Sequence, residues 1–312
     1  MTTQFHPADA ASLKDKVVVL TGGALGVGAS LVRILHSAGA HIFFGDLLDE
    51  PGQALEKELS KDGKSRAKFV HCDVTQYLDN VRLFETAYAE CGRIDHAIAN
   101  AGLGEQGNMF DPELTPESVK EEPVKSVKVA DVNLKGPLYF ARLASVYLRQ
   151  QSSQDGTSTD KSLTLVSSVA GFREDPGLYV YVASKHGVLG LMRSLRVYVQ
   201  LPAKPNPIRT NAICPWMTRT RLVAGIESTW EAAGLPSNSA EDVARVIVGV
   251  LADGNLSGGT MYIEGGRAWN IEQGLLKTRR EWLGERQEAE LDRGTELMGG
   301  GGHWIENKTS QV

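Results

Sequence analysis

Cysteine is scarce in this chain: three residues, Cys72, Cys91 and Cys214, among 312. An odd, scattered trio without metal-ligand spacing excludes a disulfide framework. It points to free thiols in a reducing compartment and to no bound metal. No apolar run approaches the ~20 residues of a membrane-spanning helix, and Met1–Lys16 lacks the apolar stretch of a secretory signal. Blocks of like charge are also missing, since Lys120–Lys128 mixes both signs and reads as a solvated helix face. With 33 basic residues against 38 acidic ones and a net charge of -5, the chain has no electrostatic footprint for nucleic acid. No internal repeat is visible. These absences predict a soluble cytoplasmic protein with a small-molecule partner, no nucleic acid and no membrane span.

What is present is a sequence rich enough in hydrophobic residues, 42%, for a sizeable core. Short apolar runs at Val17–Leu20, His41–Asp46, Ala67–Cys72, Ile94–Ala99, Ser162–Val166, Ile208–Cys214 and Thr260–Ile263 read as strands. Between them lie helical patterns at Ala29–Ala38, Pro51–Ser60, Thr75–Cys91, Pro123–Gln151 (broken near its start), Pro176–Gln200 and Ala240–Leu251. This alternation predicts an α/β fold: a single Rossmann-type, doubly wound parallel sheet of about seven strands with helices on both faces. Polar Ser152–Asp160 and proline-rich Pro202–Pro207 read as surface loops. Residues 1–266 are expected to form one domain, binding both dinucleotide and substrate. Residues 267–312 read as a partly helical extension, docking or flexible and without a catalytic role.

The first strand runs into Thr21-Gly22-Gly23-Ala24-Leu25-Gly26-Val27-Gly28. The spacing is G-x-x-x-G-x-G, not the usual G-x-G-x-x-G. Glycines at a strand-to-helix turn let backbone N–H groups approach a pyrophosphate at the helix N-terminus. Thr21, Gly22, Leu25, Gly26 and Val27 are therefore expected to contact a dinucleotide. Asp46 ends the second strand, twenty residues after Gly26, where a carboxylate can bind a ribose diol and repel a 2′-phosphate. No basic residue lies within Gly22–Gly28, and Leu47-Leu48 follow Asp46, so NAD is expected over NADP. For Asp73, beside Val74, two readings stand: a partner for the adenine amino group, or a cap for the next helix. Asn100-Ala101-Gly102 suits a backbone turn beside the cofactor.

Tyr181 and Lys185, at i and i+4, fall on one helical face. A Lys cation beside a phenol favours the phenolate, which predicts proton exchange near neutral pH. Ser168 lies thirteen residues before Tyr181; its neighbour Ser167 would point the other way along a strand. Tyr179 sits on another helix face and reads as packing or pocket wall. Asn133 lies in Val132-Asn133-Leu134-Lys135-Gly136; taken alone it reads as a buried Asn bonding backbone.

Together, Thr21–Gly28, Asn100–Gly102, Asn133, Ser168 and Tyr181–Lys185 resemble the classical short-chain dehydrogenase/reductase family over residues 14–266. The resemblance implies a tetrad. Ser168 would hold the substrate oxygen, Tyr181 would be the acid/base, and Lys185 would lower the Tyr pKa and bond the nicotinamide ribose. Asn133 would hold a water in the proton relay. It also implies cofactor contacts from Pro215, Thr218 and Thr220. The interval from Asn133 to Ser168 is longer than expected of the family, and Ser152–Asp160 accounts for the excess as an insertion.

The family's Pro-Gly turn is Pro215-Trp216 in this chain. Trp216 either faces the substrate or packs under a lid, Met217–Asn238. With Ser168 and Leu222 it is expected to line the substrate pocket, and the apolar lid suggests a hydrophobic, lipid-like or polyketide-like substrate. The expected activity is an NAD-dependent interconversion of secondary alcohol and ketone. A dinucleotide-binding protein without dehydrogenase turnover, and a dehydratase or epimerase on the same scaffold, are the alternatives. The two long helices suit a homodimer or homotetramer.

Overall fold

The computed structural model describes residues 3–62, 66–150, 160–198 and 207–298. All of Ser152–Asp160 except Asp160, all of Pro202–Pro207 except Pro207, and the glycine run from residue 299 lie outside the described residues. Strand β1 (Thr3–Phe5) precedes β2 (Val17–Thr21), α1 (Gly26–Ser37), β3 (His41–Asp46), α2 (Asp49–Leu59), β4 (Ala67–His71), α3 (Tyr77–Cys91) and β5 (His96–Ala99). Then come α4 (Val124–Ala130), α5 (Gly136–Tyr147), β6 (Ser162–Val166), α6 (Tyr179–Tyr198), β7 (Arg209–Pro215), β8 (Thr218–Arg219) and α7 (Glu227–Ala232). The described chain ends with β9 (Asn238–Ser239), α8 (Ala240–Ala252), β10 (Thr260–Glu264), β11 (Arg267–Asn270), α9 (Glu272–Leu283) and α10 (Glu285–Leu297).

The main sheet has the order β1-β11-β10-β7-β6-β5-β2-β3-β4. The seven strands from β10 to β4 run parallel. Two antiparallel edge strands, β11 and β1, extend the expected seven to nine. Residue 266 therefore falls inside a hairpin between β10 and β11, and the sheet continues past the expected boundary. Beyond β11 the chain forms the helix pair α9–α10, joined by ion pairs from Arg279 and Arg280 to Glu288.

Successive residues of β2 divide between the two faces of the sheet. Val17 and Val19 join a core with α3, α5 and α6, whereas Val18 and Leu20 join one with α1, α2 and α8. A strand buried on both faces needs side chains that are apolar throughout, which the Val-Val-Val-Leu run supplies. Strand order reverses between β2, which leads to β3 and β4, and β5, which leads to β6, β7 and β10. A crevice opens at such a switch point, at the carboxyl ends of the strands.

The opposite end of the sheet holds buried charge. Asp95 and Lys161 pair at 2.9 Å with almost no exposure. Arg209 grips Asp160 and donates to the carbonyls of Val250, Leu251 and Leu256 at the end of α8. Between them, His96 Nδ1 lies 2.8 Å from Ser162 Oγ.

One expected break falls elsewhere. The Pro123–Gln151 helix is interrupted in its middle, at Asp131–Lys135, by a π-turn where Gly136 N–H bonds Asp131 O. Pro137 has no N–H to offer the Asn133 carbonyl four residues back, so an unbroken α-helical ladder is impossible there.

Candidate active site

The crevice is a cavity of about 760 Å³ lined by residues of both halves of the chain. At one end β2 turns into α1. Gly22 has φ +68°, and a Cβ there would lie 2.7 Å from Ala101 Cα; a Cβ on Gly28 would overlap the Gly22 carbonyl. Glycine is therefore required for this close approach. No side chain caps α1, which leaves its first N–H groups available for an anion.

Asp46, at the end of β3, lines the same end. Its oxygens accept the N–H groups of Ala24 and Leu48, each at 3.0 Å. These bonds fix the carboxylate beside the exposed side chains of Leu47 and Leu48. Asp73 Oδ1 accepts both the N–H and the hydroxyl of Thr75, two bonds within the turn that precedes α3; the helix itself starts at Tyr77 without a side-chain cap. Asp73 and Val74 both line the cavity.

The loop after β5 ties the elements together. Asn100 Nδ2 donates to the carbonyls of Thr21 and Gly22, and Thr21 Oγ1 accepts the N–H groups of Asn100 and Ala101. Next, Leu103 exchanges two 2.8 Å bonds with the Asn133 side chain. A Cβ on Gly102 would lie 3.3 Å from Asn133 Oδ1 and 3.5 Å from Lys185 Nζ. Finally, the Glu105 carboxylate accepts the N–H groups of Val180 and Tyr181 at the start of α6.

Ser168, Tyr181 and Lys185 line the far wall. Ser168 caps a turn through its hydroxyl, which accepts the Ala170 N–H. Ser167 is turned away, donating to the Lys185 carbonyl at 2.9 Å. Lys185 Nζ donates to the Val166 carbonyl at 3.2 Å and lies 5.6 Å from the centre of the Tyr181 ring. Burial pulls the Lys185 pKa down to about 8.

The phenol does not follow the expectation from the sequence. Burial raises the Tyr181 pKa above its usual value, and a hydrogen bond with Ser168 only partly offsets that. The desolvation of a group in apolar surroundings outweighs an ammonium that spends its hydrogen bond on Val166.

Of the expected site residues, Thr21 and Asn133 do not reach the cavity. They are buried at 2% and 0% exposure and act behind it, on the β5 loop. The others, including Leu25, Gly26, Val27, Pro215, Thr218, Thr220 and Leu222, line it.

The structure places Trp216 both at the cavity and against a neighbouring helix. It lines the cavity and packs edge-to-face against Trp230 of α7, with ring centres 5.0 Å apart. Asp15 is the only described non-glycine residue with positive φ. Trp216 therefore needs no glycine conformation.

The segment from Met217 to Asn238 is fastened at its base. β8 pairs with β9, and buried Asn238 donates to Thr218 Oγ1 and the Ile263 carbonyl while accepting the Gly266 N–H. Glu105, Trp230 and Asn238 carry no local sequence signal. Their partners lie 76, 14 and up to 28 residues away, distances that no periodicity reports.

Comparisons with known proteins concern the family and the fold. Residues 16–231 match the family described as short chain dehydrogenase. The chain is 34% identical to the short-chain dehydrogenase/reductase ascJ of Acremonium egyptiacum, over 86% of this chain and 84% of that one. It is 32% identical to the 5'-hydroxyaverantin dehydrogenase of Dothistroma septosporum, over 73% of this chain and 75% of the relative. The crystal structure of gox2181 superposes with a TM-score of 0.69 at 24% identity, covering 82% of this chain and 97% of the other. That likeness concerns the fold.

Proposed function

The chain belongs to the short-chain dehydrogenase family, and from that premise we propose that it is an NAD-preferring oxidoreductase interconverting a secondary alcohol and a ketone. One observation carries the reading: Ser168, Tyr181 and Lys185 line the same cavity as Asp46 and the uncapped start of α1. A dinucleotide spanning that distance would supply the hydride donor or acceptor. The glycine approach at Gly22 and Gly28 and the open N–H groups of α1 fit its pyrophosphate. Asp46 fits a ribose diol and disfavours a 2′-phosphate.

The chain's own residues handle the proton. Ser168 would donate to the substrate oxygen and hold it at the phenol. Tyr181, a protonated acid at neutral pH, would deliver its proton to a ketone oxygen. In the oxidative direction it must first ionise, and then takes the hydroxyl proton. Lys185, charged below about pH 8, would favour that ionisation and bond the nicotinamide ribose. Asn133 acts from behind the cavity through Leu103, and its interrupted helix frame supports a place in a water relay.

Trp216, Trp230, Leu222 and Ile226 give the substrate end apolar walls, which supports a hydrophobic, lipid-like or polyketide-like alcohol. A relative named as a 5'-hydroxyaverantin dehydrogenase is consistent with that class. Val124, Val127, Leu138 and Val146 are exposed along α4 and α5, which suits assembly into a homodimer or homotetramer. Three free cysteines fit a cytoplasmic setting, and α9–α10 fit an appendage outside the catalytic unit.

A panel of hydrophobic secondary alcohols and ketones, followed by nicotinamide absorbance with both cofactors, tests the proposal. Turnover favouring NAD supports it. No turnover with either cofactor across the panel would remove the oxidoreductase reading.

A further inference from the structure

We propose that Glu105 is a positioning residue that fixes Tyr181 through the backbone at the start of α6, independently of Lys185. This rests on the assignment of Tyr181 as the acid/base. Helix α6 begins at Tyr179, and its first intrahelical bond is that from Val182 N–H to Leu178 O. The preceding N–H groups have no acceptor within the helix. The chain just before α6, Pro176-Gly177-Leu178, offers no capping side chain. Glu105 takes two of the orphaned donors: Oε2 accepts Tyr181 N–H at 2.7 Å and Oε1 accepts Val180 N–H at 3.3 Å. A carboxylate there also meets the positive end of the helix dipole.

The anchor is specific because its two ends belong to different parts of the site. Glu105 lies three residues past Gly102, on the loop clamped to Asn133 through Leu103 and to Thr21 and Gly22 through Asn100. Lys185, one turn further along α6, is held by β6 and the residue after it: its ammonium by Val166 O, and its carbonyl by Ser167 Oγ. Removing Glu105 therefore frees the first turn of α6, and Tyr181 with it, while Lys185 stays pinned. Ser168 stands on a separate element, so the distance between phenol and Ser168 is what the anchor controls.

The experiment compares wild type with Glu105→Ala and Glu105→Gln. For Glu105→Ala, kcat is expected to fall about tenfold or more, since small displacements of a reacting group cost that much. Cofactor Kd, read by nicotinamide fluorescence, stays within about twofold, and the ionisation seen in the pH profile of kcat/KM moves by roughly half a unit. Glu105→Gln keeps one acceptor oxygen and is expected to fall between the two. If the Ala variant does not fold, the Gln variant carries the test.

Wild-type kcat and an unmoved pH profile in the folded variants would overturn the proposal. So would a loss of cofactor affinity in proportion to kcat, which marks general loosening. Amide exchange provides an arm independent of turnover: Val180 and Tyr181 should exchange about tenfold faster in the variants, with residues 185–192 unchanged. Absent turnover in wild type counts against the oxidoreductase reading, whereas unchanged exchange at Val180 and Tyr181 overturns the Glu105 anchor itself.

Discussion

Asn133 and Leu103 hold each other through both ends of one amide. Leu103 N–H donates to Asn133 Oδ1, and Asn133 Nδ2 donates to the Leu103 carbonyl, each at 2.8 Å. The pair joins the π-turn between α4 and α5 to the loop after β5.

Asn133→Asp retains the shape but removes the donor, leaving a buried carbonyl facing a carboxylate. A loss of about 1–3 kcal/mol is expected, because the Leu103 carbonyl loses its donor while the Leu103 N–H keeps an acceptor. Urea denaturation reads it, and an unchanged midpoint would refute the clamp.

Tyr181→Phe should lower turnover by about a hundredfold or more, the usual worth of a positioned acid/base, with cofactor affinity retained. Because burial raises the phenol's pKa, alcohol oxidation should speed up as pH rises above neutral and ketone reduction should not. An oxidation rate flat from neutral to alkaline pH would contradict the raised phenol.

Lys185 is a buried ammonium with a cost to stability. Its folded pKa of about 8 lies below the usual 10.5, so the folded state carries the full cost of a buried ammonium below pH 8. Stability then rises as pH climbs from 8 to 10.5, where the folded chain sheds a proton that the unfolded chain keeps. Lys185→Met is expected to be inactive yet more stable at pH 7, by about 2 kcal/mol after the lost bond to Val166. Denaturation of the two proteins at pH 7 and pH 10 checks the sign: the gain should shrink at the higher pH.

If Asp46 binds the ribose as proposed, Asp46→Ala should weaken NAD binding about tenfold and relax discrimination against NADP, through loss of a charge-assisted pair of bonds. Fluorescence titration with both cofactors measures it. Unchanged selectivity would move Asp46 away from the ribose.

Acid sensitivity should begin well above the carboxylate range. Burial holds the His96 pKa down at about 4, against 6.5 when free. Between these values the unfolded chain binds a proton that the folded chain refuses, so stability falls as pH drops from 6.5 to 4, by about 3 kcal/mol. His96→Gln should flatten that window in a series of denaturation curves. Asp95 behaves differently: burial pushes its carboxyl up, but Lys161 and the Val17 N–H together hold it below 3.8, so its contribution is lost only at lower pH.

The parallel strands were legible because each is an apolar run bounded by turn residues; His41–Asp46 and Ser162–Val166 match to the residue. The antiparallel edge was not. Thr3–Phe5 is three residues of mixed polarity, and Arg267–Asn270 follows a Gly-Gly pair that reads as an end, not a hairpin turn. The residues around the cavity were legible as motifs, but their electrostatics were not, since desolvation of Tyr181 depends on apolar neighbours scattered through the chain. Glu105 was invisible for a related reason: a cap drawn from 76 residues away leaves no local mark.

The clasp at Asn238 gives the lid a particular architecture. Both ends of the segment from Arg219 to Ser237 are fastened at one buried residue, which also grips the end of β10 and the Gly266 turn. The segment is thus a cassette with a fixed base. Its interior, including Leu222, Ile226 and Trp230, can diverge in length and composition without transmitting strain to Pro215 or the sheet. Changes inside the segment would then alter what the cavity admits while Ser168, Tyr181 and Lys185 stay where they are.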